Sequence, residues 1–265
     1  MKKNRGVNKW KIATYIVLRI AVIAVLIREL YLGQWYNVLM CILTLTLFMA
    51  PSIMQKKLKV YLPTALEVII VVFIFAADIL GEIEEFYLKI PFWDTLLHVI
   101  NGFLTAAIGF AMIDLLNRSE HVHFDLSPVF VSFVAFCFAM TIGVLWEFFE
   151  FTADHVIKTD MQKDTVVTEI SSIYFNPEGR NSAVTISDIS QVVITGEIDG
   201  EEKDIVVDGG YLELGVNDTV KDMFVNLIGA AFFAVIGYFY VKGRGKVAGA
   251  FIPIVEKDSD DSDNE

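Results

Sequence analysis

Three stretches of this chain carry acids, a histidine and amides at helical spacing inside otherwise apolar sequence. Asp94 and His98 are four residues apart, and Asn101 and Thr105 continue the stripe. Glu147 and Glu150 are three apart, with Asp154 one turn further on. Asp218, Asp222 and Asn226 follow at intervals of four. Residues three and four apart share one face of an α-helix, so each stretch reads as a helix with a polar face at one end. Carboxylates beside a single imidazole suit a divalent cation such as Zn²⁺, Mn²⁺ or Mg²⁺. The candidate ligands are Asp94, His98, Glu147, Glu150, Asp218 and Asp222. Glu147, Asp94 and His98 are the first candidates for a general base. Asn101, Asp154 and Asn226 complete the polar set.

Composition says what kind of element positions them. Of the 265 residues, 55% are hydrophobic, and the mean hydropathy is +0.54. Ordinary soluble domains are roughly 45–50% apolar, so a membrane class comes first. A helix needs ~20 apolar residues to cross the ~30 Å hydrocarbon core, where its backbone must satisfy itself. Six segments qualify: Trp10 to Ile27, Leu32 to Ala50, Tyr61 to Leu80, Phe92 to Leu116, Pro128 to Phe151 and Thr219 to Val241. The expected fold is an all-α polytopic membrane bundle of about six transmembrane helices, with the lipid bilayer as its first partner. Arg19 and the lack of a small-residue cleavage site argue that the first segment is a retained helix and not a signal peptide. Cys41 and Cys137 fall mid-segment, as small hydrophobes, and imply no disulfide framework.

The net charge of −12 is concentrated in one loop and the C-terminal tail. A nucleic-acid binder needs a basic face, and the short basic runs here flank apolar segments instead. Lys2, Lys3, Arg5, Lys9 and Lys11 precede the first segment; Lys56, Lys57 and Lys59 link the second and third; Lys242, Arg244 and Lys246 follow the sixth. All three runs fall on one side of a six-helix chain, which predicts cytoplasmic termini and a multi-pass plasma-membrane location. His121 and His123 then sit in a short cytoplasmic link as solvent-exposed residues.

In that orientation the start of segment four, the end of segment five and the start of segment six share the extracytoplasmic boundary. Residues 1–154 hold the first five helices and residues 155–216 a β-rich extracytoplasmic insertion. The last helix covers residues 217–243, and an acidic, disordered cytoplasmic tail covers residues 244–265. Turn signals at Asn176-Pro177-Glu178-Gly179, Asp199-Gly200 and Asp208-Gly209-Gly210 separate the stretches Ala183 to Ile186, Gln191 to Thr195 and Asp204 to Val207. They predict a meander of four or five short strands between about Thr165 and Leu214.

Ionisable groups in hydrocarbon cost ~2.5–3.5 kcal/mol each on insertion scales, so their convergence carries information. Arg28, Lys89 and Lys221 are the nearby fixed cations on the outer side. Several carboxylates in one partly dehydrated layer must be protonated or hold a cation. The competing reading is structural: polar groups also join membrane helices, at ~0.6 kcal/mol each. Gly143, Gly229 and Gly237 on the same faces would let helices approach closely. Asp78 and Glu82 stand at the outer end of segment three. Arg19 and Glu67, near the inner face, are expected to pair with each other. The four tryptophans are expected as interfacial anchors.

The stretches Phe92-Trp93-Asp94 to His98 and Gly102, Gly143 to Trp146-Glu147, Glu150 and Asp154, and Asp218-Thr219 to Asp222-Met223, Asn226 and Gly229-Ala230 resemble the YjdF-like bacterial inner-membrane proteins. Asp160-Met161-Gln162 looks like the segment those proteins carry before their last helix. A more distant similarity is to the VanZ-like family, in the order Asp-x3-His, a later Glu, then Asp-x3-Asn near a Gly. The first resemblance implies no established activity. The second implies a role in the cell envelope. The long insertion between Gln162 and Asp218 departs from the family pattern.

Three functions compete. One is a metal-assisted hydrolase or transferase acting on an envelope or lipid-linked substrate. Another is an ion- or proton-coupled transporter, although the middles of the last three segments are apolar and no inverted repeat is evident. A structural or sensory protein is the third. No nucleophile elbow, phosphate-binding glycine loop or Cys/His zinc pattern occurs. Oligomeric state cannot be read from these patterns.

Overall fold

A computed structural model of the chain describes residues 9–58, 60–117, 126–243 and 254–255. The cations Lys2, Lys3, Arg5 and Lys59, the link with His121 and His123, and tail residues 244–253, with Arg244 and Lys246, and 256–265 lie outside the described residues.

Among the described residues, six helical spans are long and apolar enough to cross a membrane: Lys9–Leu32, Trp35–Lys57, Thr64–Ile83, Trp93–Ile113, Pro128–Val156 and Val216–Val241. The chain is a multi-pass membrane protein, helical in the main, with a small β insertion before its last helix. Helix α1 (Lys9–Leu32) ends at Gly33, whose φ of +71° is the left-handed conformation that closes helices. The second span is broken into α2 (Trp35–Leu47) and α3 (Ala50–Leu58). Pro51, which has no N–H and a preset φ, sits in the first turn of α3, where both properties are tolerated. The third span starts as α4 (Thr64–Ile74) and continues as a π-helix, Phe75–Ile83. A single turn, α5 (Phe86–Lys89), leads into α6 (Trp93–Asn117), α7 (Pro128–Val156) and α8 (Val216–Val241). Helix α8 starts three residues before the expected Thr219. The Glu213 carboxylate accepts from the backbone N–H groups of Val216 (2.8 Å) and Asn217 (3.1 Å), which an unaided helix start would leave without partners.

The chain divides into two compact units, Met1–Val144 with Met223–Glu265, and Leu145–Asp222. The first contains most of the helical bundle. Its larger core joins Leu66, Phe110 and Phe233 through Ala106, Ala107, Ala135, Ala139 and Ala230, all buried. Small residues at these contacts let helix backbones approach, which is how membrane helices gain dispersion energy when lipid competes equally for apolar surface. A second cluster packs Val22, Cys41, Phe48, Val71 and Ile79, with Cys41 as a small hydrophobe. Helix α1 leaves Ile16, Val17, Ile20 and Ile27 exposed, the face a hydrocarbon solvent would cover. A two-residue strand β1 (Val60–Tyr61) pairs antiparallel with β8 (Ile254–Val255).

The expected Arg19–Glu67 pair is not what forms. Buried Glu67 takes Lys11 Nζ at 2.6 Å and the Tyr15 hydroxyl at 3.0 Å. Arg19 stacks over the Tyr15 ring, 5.5 Å from its centroid. Lys11 and Arg19 stand about 12 Å apart along α1, and the depth at which the third span packs against α1 selects Lys11. At the other end of the bundle Arg28 lies 2.6 Å from Glu29 and 2.7 Å from Glu84, while Lys89 lies 3.1 Å from Glu85. Two of the three expected outer cations are thereby engaged by acids of this unit.

The second unit comprises the C-terminal end of α7, the first residues of α8 and the β insertion. Its strands are β2 (Thr165–Val167), β3 (Ile170–Ser172), β4 (Val184–Ile186), β5 (Gln191–Ile198), β6 (Glu201–Asp208) and β7 (Tyr211–Glu213). They form three separate antiparallel ladders, β2 with β7, β3 with β4 and β5 with β6. The arrangement differs from the expected meander because the first and last strands close on each other. Asp199 and Gly200 both take positive φ, 56° and 81°, as a two-residue primed turn between β5 and β6 demands. At Asn176-Pro177-Glu178-Gly179 the Asn176 side chain accepts from the Glu178 N–H at 2.9 Å, a local turn bond that needs no distant partner.

Candidate functional site

Asn226 of α8 is the junction of the helical unit. Its side chain is almost fully buried, accepts from Asn101 Nδ2 of α6 at 3.2 Å and donates to the Ala139 carbonyl of α7 at 3.4 Å. The helices approach because glycines leave room. A Cβ on Gly102 would stand 2.1 Å from the Asn226 carbonyl oxygen, and one on Gly229 1.9 Å from that of Val99. A Cβ on Gly143 of α7 would meet the Asn226 amide nitrogen at 2.5 Å. Toward the start of α6 the polar stripe continues with His98, buried, whose Nε2 is 3.5 Å from Asp94 Oδ1.

In the other unit, Glu147 and Glu150 of α7 are 4% and 7% exposed, whereas Phe148 and Phe149 between them are 62% and 53% exposed. The acids face inward and the aromatic rings face out, the reverse of an amphipathic helix in water. A carboxylate oxygen of Glu147 and one of Glu150 lie within 4.8 Å of each other. The Trp146 indole N–H donates to Glu150 at 2.8 Å. Asp222 is 1% exposed. The Lys221 ammonium reaches Asp218 at 3.1 Å and Asp222 at 3.6 Å.

Two of the expected residues do different work from the rest. Asp154 accepts from the Thr159 hydroxyl and the Met161 N–H, both at 2.7 Å, and from the Gln162 N–H at 2.9 Å. Asp218 accepts from the Lys163 N–H at 2.9 Å. Gln162 Nε2 donates to Thr219 at 2.5 Å. The segment 160–163 is therefore a buckle, with the Met161 and Gln162 N–H groups bound by Asp154 of α7 and that of Lys163 by Asp218 of α8. Just beyond it, burial and then the neighbouring carboxyls of Asp160, Glu213 and Asp154 hold the Asp164 carboxyl above the usual range. Asp154→Ala should destabilise this unit by about 1–3 kcal/mol, the cost of leaving such donors unsatisfied. Hydrogen exchange at Met161 and Gln162 should accelerate while exchange in β5 and β6 stays as it was; unchanged protection at 161–162 would contradict the buckle.

A family profile described as "Predicted membrane protein (DUF2238)" matches residues 11–243. The chain belongs to this family. An uncharacterized protein of Thermotoga maritima is similar over 108 residues at 29% identity, taking in 41% of this chain and 54% of that protein. The chain thus spans about half the length of the relative it matches. No solved structure matches.

The DUF2238 match contains every candidate residue from Asp94 to Asn226. Its description adds no chemistry to membrane residence, so activity must be argued from the side chains. Spacing does not single out Gln162, Thr219 and Lys163 as parts of the buckle, nor the Trp146–Glu150 hydrogen bond. A signal for the buckle was present, since Asp154 and Asp218 flank the Asp-Met-Gln segment, but a carboxylate that binds backbone N–H groups looks in sequence like any other acid.

Proposed function

We propose that this DUF2238 protein is a membrane-embedded, metal-dependent enzyme acting at the extracytoplasmic boundary of the bacterial plasma membrane on an envelope or lipid-linked substrate. The distant resemblance of its motifs to VanZ-like proteins fits an envelope role. The observation that carries the reading is the Asn226 junction, where α6, α7 and α8 meet through Asn101, Ala139 and Gly143. Helices α7 and α8 continue unbroken beyond it. One turn outward along each helix from Gly102, Gly143 and Asn226 come His98, Glu147 and Asp222. In this reading His98, Asp94, Glu147, Glu150 and Asp222 bind one divalent cation, while Asp154 and Asp218 brace the helix ends. The burial of Glu147, Glu150 and Asp222 fits it, because acids in a membrane helix turn from lipid toward polar surroundings.

A cation held there would lower the pKa of a bound water toward neutrality. Glu147 is the proposed base. The water oxygen would bond to the acyl carbon or phosphorus of an ester, the bond to the leaving oxygen would break, and the water's proton would pass through Glu147 to that oxygen.

Elemental analysis of the detergent-purified full chain should find about one Zn, Mn or Mg per molecule, removed by chelator and restored on readdition. Absence of a stoichiometric metal after incubation with each of the three would sink the reading. The orientation has its own test. A cysteine at Lys57 in an otherwise cysteine-free chain should resist a membrane-impermeant thiol reagent in intact cells and react after permeabilisation. Labelling in intact cells would invert the map and move the site to the cytoplasmic side.

A further inference from the structure

Within the helical unit, an apolar crevice of about 320 Å³ runs between the third span and α6. Val68, Val72 and Ala76 form one wall at intervals of four, and Leu96 and Ile100 form the other. Its length along the helix is about 12 Å at 1.5 Å per residue. Val72 is 44% and Leu96 43% exposed, so the crevice opens sideways between two membrane-spanning helices. Trp93 closes its outer end: the indole N–H donates to the Ala76 carbonyl at 3.2 Å, and Phe86 packs edge-on at 4.9 Å. The wall changes from α- to π-helix at Phe75, next to Ala76, and such turns are frequent at functional sites. On α6 the crevice residues alternate with the polar stripe. Asp94 follows Trp93, and His98 follows Leu97.

We propose that this crevice seats one hydrocarbon chain of an amphiphilic lipid, admitted sideways from the bilayer, and that the lipid headgroup lies at Asp94 and His98. The inference rests on the reading of those two residues as part of the reactive site, and it supplies the substrate class. The medium beside an opening at this depth is hydrocarbon. A helix of a second copy, about 10 Å across, is too wide to enter between two neighbouring helices. A single polymethylene chain is slender enough. The polar pair beside the closed outer end gives the headgroup hydrogen-bonding partners where the chain stops.

The test uses the full chain in phosphatidylcholine nanodiscs with chelator present. Trace phosphatidylcholine carries a diazirine either near the end of one acyl chain or on its headgroup, and adducts are mapped by mass spectrometry. The chain label should mark residues 68–76 and 96–100 about tenfold more per residue than the exposed α1 positions Ile16, Val17 and Ile20, a preference of about 1.4 kcal/mol. The headgroup label should mark residues 93–98. Leu96→Trp and Ala76→Phe, each filling the crevice from a different wall, should remove the excess and leave α1 adducts unchanged, which also reports that the variants are folded. Equal yields on α1 and the crevice, or an excess that survives both variants, would overturn the proposal. A disulfide between two copies carrying Leu96→Cys would likewise overturn it, in favour of self-association. Because chelator is present throughout, loss of the crevice adducts in a protein that binds its cation defeats this inference alone. Adducts in a protein that binds no cation defeat the metal reading and leave the lipid seat standing.

Discussion

Glu147→Gln and Asp222→Asn should each weaken divalent-cation binding by at least about 100-fold, more than the 10–100-fold typical of losing an outer-shell partner. Both substitutions keep the side-chain shape and remove only the charge, so folding is disturbed little and the loss reports on ligation. Mn²⁺ titration followed by electron paramagnetic resonance on the purified chain is the measurement. Asp154→Asn is the matched control. Its carboxylate already accepts from Thr159, Met161 and Gln162, so affinity should stay within a few-fold of the parent. If Asp154→Asn weakens binding as much as Glu147→Gln does, the acids act through overall helix geometry and the metal reading loses its ligand set. Unchanged affinity in Glu147→Gln and Asp222→Asn together would remove these residues from any cation site.

Gly229→Ala and Gly102→Ala should be the most destabilising single-methyl additions in the helical unit. Each added Cβ would lie about 2 Å from a backbone oxygen, of Val99 in one case and Asn226 in the other. A backbone carbonyl inside a packed helix cannot swing aside as a side-chain tip can, so α6 and α8 must separate. Overpacking typically costs about 1–3 kcal/mol, and a backbone clash belongs at the upper end. Separation would also break the 3.2 Å Asn101–Asn226 hydrogen bond. Thermal unfolding in detergent should show the loss. Gly196→Ala in β5, where nothing lies within 4 Å of the added methyl, should stay within about 0.5 kcal/mol. Equal melting temperatures for all three variants would mean that the α6–α8 approach is looser than described.

Much of the fold is legible because the membrane imposes a local, additive cost. Each apolar run long enough to cross hydrocarbon is visible without knowing its neighbours, and the six expected segments correspond to the six spans among the described residues, with ends displaced by as much as two turns, as at Ala50 against Lys57. The Asp199-Gly200 turn is equally local, since few residues other than Gly, Asn and Asp accept positive φ at both positions. The break between α2 and α3 was less visible. Pro51 allows it, yet proline near a helix start and proline at a kink look alike in sequence. The polar faces of α6, α7 and α8 were legible from spacing, because a charge inside an apolar segment must turn from lipid whatever the rest of the chain does.

What the sequence by itself determined, then, is solvent preference residue by residue: which stretches lie in hydrocarbon, where primed turns fall, and which side chains must avoid lipid. Partner choice was left to the tertiary structure. Lys11 rather than Arg19 meets Glu67, β2 closes on β7 across the whole insertion, Trp146 binds Glu150, and Asp154 and Asp218 hold the Asp-Met-Gln buckle while Glu147 and Asp222 do not. The physical reason is that burial is a property of one residue in one medium. A hydrogen bond or ion pair depends on the positions of two groups far apart in the chain, and helix rotation of a fraction of a turn selects which acid binds the buckle and which does not.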